Sequence, residues 1–151
     1  MAKKTWNEKL LDSKDMPYVT ELTCKYAAMY GPRMLIAPPL FYDEVMKRVP
    51  HGKLITIDKI SNYLAKQHNA DWCCFMTAGI FSRIVAEASN ERMGADETPY
   101  WRTLKKNGEL NEKYPQGIEG HKMLLEAEGH IVVQKGKKWF VADYENKAYR
   151  P

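Results

Sequence analysis

The chain has 151 residues, 44% of them hydrophobic and 28% charged, which excludes wholesale disorder and leaves room for one substantial core. Its formal net charge of +4 is compatible with a nucleic-acid partner without requiring one. The three cysteines are Cys24, Cys73 and Cys74, an odd number with two adjacent, which argues against a secreted disulfide framework.

No Cys or His pair has zinc spacing, so no metal and no other cofactor is expected. The N-terminus is charged rather than apolar, and no apolar run approaches bilayer length. A soluble, cytoplasmic protein without a membrane partner is therefore expected, and it is read as a monomer.

Residues 1–16 are polar, anchored only by Trp6, Leu10 and Leu11, and read as a short helix or an arm over the domain. Val19, Leu22, Tyr26 and Met29 or Tyr30 recur at helical spacing, so a helix is predicted between Pro17 and Tyr30, stopped by Gly31-Pro32. Met34 to Ala37 is an extended apolar crossing. Leu40, Phe41, Val45, Met46 and Val49 mark one face of a short helix ending at Pro50-His51-Gly52.

Thr56 is the predicted N-cap of a helix running to Gln67 over Ile57, Ile60 and Leu64. Thr77 is the predicted cap of the next helix, over residues 77–90, whose core stripe is Ile80, Phe81, Ile84, Val85 and Ala88. Two such helices followed by short strands suggest a winged helix-turn-helix. On the second helix Arg83, Glu87, Glu91 and Arg92 cancel in charge, which weakens a major-groove reading.

Thr98-Pro99-Tyr100-Trp101-Arg102-Thr103-Leu104-Lys105-Lys106-Asn107-Gly108 comes next. Two large aromatics, an arginine fork and two lysines before an Asn-Gly turn can stack on an unpaired base and hold phosphates. The other reading of these residues is a strand entering a core, with Tyr100 and Trp101 as packing residues and the lysines solvated.

A second turn at Tyr114-Pro115-Gln116-Gly117 leads into a helix over residues 118–128, with Met123, Leu124 and Leu125 as its core, stopped by Gly129. Two β-rich runs around Lys135-Gly136 predict a C-terminal hairpin whose tip lysines, Lys135, Lys137 and Lys138, are phosphate contacts or a solvated edge. Four histidines, His51, His68, His121 and His130, are read on turns or polar faces, without catalytic spacing.

From Leu40 to His130, about three fifths of the chain, the sequence resembles the DNA-binding half of the alkylguanine-DNA alkyltransferases (methylated-DNA–protein cysteine methyltransferases). Within them it looks most like the alkyltransferase-like proteins, which lack the acceptor cysteine. The family's Pro-x-Gly-Lys turn falls on Pro50-His51-Gly52-Lys53, and its Pro-Cys-His-Arg motif on Pro99-Tyr100-Trp101-Arg102. Its later turn falls on Asn107-Gly108, its Tyr-x-Gly-Gly segment on Tyr114-Pro115-Gln116-Gly117, and its closing Leu-Leu-x-x-Glu-Gly on residues 124–129.

The resemblance implies an α+β fold, mainly α with small β elements. A winged-helix domain at 40–143 is expected, with a helical extension at 1–39 packed on it and a frayed tail at 144–151.

The resemblance also implies that the family's chemistry cannot run here. Its nucleophile position holds Tyr100 and its proton-relay position Trp101, while the orienting glutamate remains as Glu128. A phenol with a pKa near about 10 is a poor nucleophile at neutral pH, and an indole does not relay protons as imidazole does. No catalytic residue is therefore assigned, and Cys73 or Cys74 as a substitute is disfavoured by the apolar setting.

The family's helix-start tyrosine aligns with Ile57 and its base-replacing arginine with Gly79, with Arg83 one turn further on. The candidate contacts to double-stranded DNA bearing an alkylated base are thus Tyr100, Trp101, Arg102, Lys105, Lys106, Thr77, Gly79, Arg83 and Tyr114. The alternative is a pocket re-used for a small molecule or a protein partner, with no DNA role.

Overall fold

The computed structural model describes residues 3–151; residues 1 and 2 of the expected extension lie outside them. Six α-helices and seven short strands make an α+β fold among the described residues. The helices are α1 (Trp6–Leu11), α2 (Lys25–Tyr30), α3 (Pro39–Arg48), α4 (Ile57–Gln67), α5 (Phe75–Glu91) and α6 (Gly117–Ala127). The strands are β1 (Tyr18–Glu21), β2 (Arg33–Ile36), β3 (Ile55–Thr56), β4 (Trp72–Cys73), β5 (Thr103–Leu104), β6 (Val132–Lys135) and β7 (Lys138–Val141). Among the described residues no helix is long and apolar enough to cross a membrane.

The centre is α3, α4 and α5. Tyr42, Val45, Met46 and Val49 meet Ile60 and Leu64 with Val85, Ala86 and Ala88, all buried. Each fully buried Val, Ile or Met is worth about 1.5–3 kcal/mol of transfer free energy. Small residues dominate the buried face of α5 (Ala78, Ser82, Ala86, Ala88, Ser89), which lets its neighbours approach closely. The expected stripe on this helix is thus rotated: Val85 and Ala88 are inside, but Ile80 is 58% exposed.

Helix α5 starts at Phe75, not Thr77. Thr77 lies inside the first turn, where its hydroxyl donates to the Cys74 carbonyl at 3.2 Å, so it caps nothing. Thr56 does stand at the N-cap of α4, without a side-chain cap bond.

The helix expected between residues 17 and 30 is instead β1 followed by α2. β1 runs antiparallel to β2, with Val19 opposite Leu35, and β2 runs parallel to β4, with Leu35 opposite Cys73. The segment before residue 40 is thereby hydrogen-bonded to the connection between α4 and α5. Helix α1 is fixed to the other end of α5. Its Thr5 and Glu8 form a reciprocal capping box, and the Glu91 carboxylate accepts from the Trp6 and Asn7 amides, each at 3.1 Å.

β3 and β5 pair in parallel, Ile55 with Thr103 and Thr56 with Leu104, which pins the aromatic motif against the start of α4. After β5 the chain reverses at Asn107 and Gly108, both at positive φ. Gly108 is required there, because a Cβ would lie 2.5 Å from the Tyr144 ring.

β6 and β7 form the expected hairpin around Lys135-Gly136. The tail, expected to fray, instead carries a 3₁₀ turn at Tyr144–Lys147 and brackets Leu54. The Leu54 amide donates to Lys147 at 2.8 Å, and the Tyr149 amide donates to Leu54 at 2.7 Å.

Candidate nucleic-acid interface

Pro99 leads into a 3₁₀ turn, Tyr100–Arg102, whose three side chains all point inward. Tyr100 is 6% and Trp101 8% exposed, so the open stacking platform expected from the sequence does not exist. The rings meet edge to face, with centroids 5.4 Å apart, and Tyr114 packs against Tyr100 from below at 5.1 Å. Tyr114 is itself fully inside, its hydroxyl donating to the Thr103 carbonyl at 3.0 Å. It supports the site and has no exposed surface for a ligand.

Glu128, just past the end of α6, organises this corner. It accepts from the Trp101 indole N–H at 2.8 Å, from the Gly52 amide at 3.1 Å, and from Arg102 Nη2 at 2.8 Å and Nε at 3.0 Å. The remaining arm of Arg102, Nη1, donates to the Val49 carbonyl at 2.8 Å. Burial alone would raise the Glu128 pKa. Hydrogen bonds from Arg102, Gly52 and Trp101, with the guanidinium charge, outweigh burial and hold the carboxyl below its ordinary value.

Every edge of Arg102 is thus engaged internally, and the phosphate contact expected of it would require breaking this ion pair. Trp101 occupies one of the hydrogen-bonding places on Glu128.

A buried histidine completes the corner. His121 on α6, expected on a polar face, is fully buried, as nearly is His130. The Asn111 amide donates to His121 Nδ1 at 3.0 Å, so Nε2 carries the proton and donates to the Trp101 carbonyl at 2.8 Å. Burial pushes its pKa down to about 4, against a smaller raising effect of the Trp101 carbonyl. The ring is neutral and held in one tautomer, a backbone strut rather than an acid or base.

Two concavities flank the corner. The smaller, about 210 Å³, lies over Tyr100 and Trp101. Its walls are the end of α5 (Ser89, Asn90), the loop carrying Met93 and Glu97, the Pro115-Gln116 turn, and Met123 on α6. Sequence reading missed these walls and assigned Met123 to the core, whereas it is 59% exposed. The turn lies against α6 only because residue 120 is glycine; a Cβ there would meet Gln116 at 2.6 Å. Ser89, Thr98, Asp43 and Arg92 hold the loop. Ser89 Oγ accepts from the Thr98 amide, Thr98 donates to Asp43 at 2.6 Å, and Arg92 donates to Thr98 Oγ1 and the Asp96 carbonyl.

The larger concavity, about 1060 Å³, runs along the exposed face of α5 past Ile57. It brings together Gly79, Arg83, Lys105 and Lys106 from the expected contacts, and leaves out Thr77, Tyr100, Trp101, Arg102 and Tyr114. Nothing lies within 4 Å of where a Gly79 Cβ would stand. Arg83, four residues on, is exposed and lies 5.5 Å from the Trp6 ring centroid. Lys106 is exposed, while Lys105 lies 3.4 Å from Glu112 and 3.8 Å from Glu109.

The helix charges that cancel in sequence do not cancel in place. Glu91 caps α1, Arg92 ties down the loop and Glu87 acts on Tyr100, so of these four Arg83 is the one that lines the groove. Between the lysines the groove floor is apolar: Phe75 is 51%, Met76 69% and Ile80 58% exposed.

Neither concavity carries a reactive thiol. Cys73 is buried, with its sulfur 3.1 Å from the Tyr42 hydroxyl, and burial raises its pKa. Cys73 and Cys74 lie at the β4–α5 junction, away from the residues that line the smaller pocket.

As a fold, this arrangement of helices and short strands is similar to that of an alkyltransferase-like protein. Two crystal structures of such a protein share it, both at TM-score 0.54 and 16% identity, covering 75% of this chain and 94% of theirs. One is S. pombe Atl1 in complex with damaged DNA containing O6-carboxymethylguanine; the other is S. pombe ATL in complex with DNA. At that identity the likeness is one of fold. The sequence matches no protein-family model and none of the curated proteins compared with it.

Proposed function

We propose that this protein binds double-stranded DNA as a monomer and recognises an alkylated guanine without transferring the alkyl group. The observation that carries this reading is the Glu128 corner. Where the resembling enzymes need a thiol and a relay, this chain has the buried Tyr100 phenol and an indole hydrogen-bonded to Glu128, beside a small pocket without a cysteine. Burial and the nearby Glu87 and Glu97 raise the Tyr100 pKa, which opposes its use as a nucleophile.

The S. pombe structures, whose fold the chain shares, are complexes with DNA, one of them damaged by guanine alkylation. In this reading α5 faces the duplex with Arg83, and Lys106 and Lys105 hold backbone phosphates. The pocket over Tyr100 and Trp101 receives the altered base.

A gel shift at low salt with matched plain and O6-methylguanine duplexes tests the reading. The alkylated duplex binds more tightly. Arg83→Ala and Lys106→Ala weaken binding to both duplexes, each lowering the slope of log K against log salt by about one. No shift with either duplex removes the reading.

The exposed Phe75, Met76 and Ile80 favour a second reading, in which the groove takes an apolar partner. Thermal stabilisation by a small molecule or protein, with no response to DNA, selects it.

A further inference from the structure

The pocket over Tyr100 and Trp101 has an unusual charge balance for a protein with a basic surplus. Its lining includes Glu97 and no lysine, arginine or histidine among the described residues. The nearest guanidinium on the motif, Arg102, is neutralised by Glu128 at 2.8 Å. Glu87 on α5 joins Glu97 in acting on the Tyr100 hydroxyl. That hydroxyl belongs to a side chain only 6% exposed and has no hydrogen-bond partner among the described residues. The other tyrosine of the stack, Tyr114, has its hydroxyl satisfied by a carbonyl. At about 210 Å³ the space is below the roughly 300–1,000 Å³ typical of drug-sized ligands, so it takes about one ring system.

We infer that this pocket prefers a flat ring carrying a fixed positive charge, the chemical class of a purine alkylated on a ring nitrogen, over a neutral purine of the same size. The inference rests on the proposed base-recognition role and narrows it.

Aromatic rings attract cations through their negative faces, and the attraction strengthens when both groups leave water. Glu97 adds a full negative charge at the rim, and no cation among the described residues stands in the pocket to oppose the ligand. The unpartnered Tyr100 hydroxyl can accept from an exocyclic amine. Alkylation at a ring nitrogen gives the whole purine a delocalised positive charge, whereas alkylation at O6 leaves it neutral. Met93, at 91% exposure, and Met123 form adaptable lips that exclude water over a bound ring.

The test compares three otherwise identical duplexes, carrying guanine, O6-methylguanine or 7-methylguanine, by fluorescence anisotropy. It also titrates free 7-methylguanosine, O6-methylguanosine and guanosine calorimetrically in mildly acidic buffer, where the 7-methyl nucleoside is cationic. The expected result is about tenfold tighter binding of the 7-methyl species than the O6-methyl species in both formats. Glu97→Gln, at an exposed position that leaves the core intact, removes most of that preference.

A preference for O6-methylguanine over 7-methylguanine overturns the inference while leaving the base-recognition reading in place. Equal binding of all three duplexes overturns both. An unchanged preference in Glu97→Gln overturns the electrostatic origin of the preference, and no binding of 7-methylguanosine or its duplex overturns the inference outright.

Discussion

Replacing His121 with glutamine should abolish one component of this protein's acid sensitivity, whose size follows from the lowered pKa of the buried ring. His121 accepts from the Asn111 amide at 3.0 Å and donates to the Trp101 carbonyl at 2.8 Å, in complete burial. Its folded pKa is about 4 against 6.5 when free. Above pH 6.5 the ring is neutral in both states, and the stability it helps provide is fully present.

As pH falls below 6.5 the unfolded chain binds a proton that the folded chain refuses, so stability drains by about 1.4 kcal/mol per pH unit. The loss levels off near pH 4, after about 3 kcal/mol, once the folded ring also protonates. Glutamine can accept from Asn111 and donate to Trp101 but does not titrate.

Urea unfolding followed by tryptophan fluorescence, at constant m, measures both proteins between about pH 7.5 and 4.5. Wild type is the more stable near neutrality, by about 1–2 kcal/mol for imperfect amide geometry. That advantage shrinks by about 2–3 kcal/mol at the acid end and changes sign. His130, whose pKa burial also lowers, contributes equally to both proteins and cancels in the difference. Parallel pH profiles for wild type and H121Q refute the assignment of a buried neutral ring.

The Glu128 corner predicts a coupling. Glu128→Gln leaves a guanidinium that is 14% exposed without its counter-charge and costs about 3–5 kcal/mol in denaturant unfolding, whereas Glu128→Gln combined with Arg102→Met costs clearly less than the sum of the two single changes. Additivity of the two changes contradicts the pairing. Because the Glu128 pKa is lowered on folding, its share of stability is present above 4.5 and is lost as pH falls through the folded value. Tyr100→Cys does not create an alkyltransferase: burial and the fields of Glu87 and Glu97 oppose thiolate formation, and Trp101 relays no proton. Mass spectrometry after incubation with O6-methylguanine DNA finds the variant unmodified, and a methyl adduct on the introduced thiol contradicts this.

The elements that local pattern specifies were legible in the sequence: α3, α4 and α6 from their apolar spacing and stops, and the hairpin from Lys135-Gly136. The errors fall where distant partners decide. Val19, Leu22, Tyr26 and Met29 keep helical spacing, yet the first half of that stretch is held extended by β2 and its neighbours. Periodicity cannot register a pairing supplied from elsewhere in the chain. Tyr149 is drawn to Leu54 by backbone bonds that leave no side-chain signal.

On α5 the apolar residues Phe75, Met76 and Ile80 face the groove, while Ser82 and Ser89 are buried. Ser82 achieves this by donating back to the Ala78 carbonyl at 2.6 Å, and Ser89 by binding Thr98. A reading that places hydrophobics inside and hydroxyls outside necessarily turns such a helix the wrong way. The site's motif was legible, and its consequence was not, because one carboxylate 26 residues beyond Arg102 consumes its donors.

That consumption separates two properties which the motif alone makes look like one. Tyr100 and Trp101 appear in sequence as exposed recognition surface, but the burial of both rings and the Trp101 bond to Glu128 make them the foundation of a pocket whose variable parts stand around them. The Pro115-Gln116 turn, the 93–97 loop and Met123 set its mouth, and none of them takes part in the Glu128 corner. A change at the mouth can therefore alter what is bound at little cost in stability, since Met93, Glu97 and Met123 are exposed. A change at Trp101, Arg102 or Glu128 removes a buried partner and unfolds the platform before it can report on binding. Selectivity in this protein is consequently to be sought by substitution at Glu97, Gln116 and Met123, with the aromatic pair left intact.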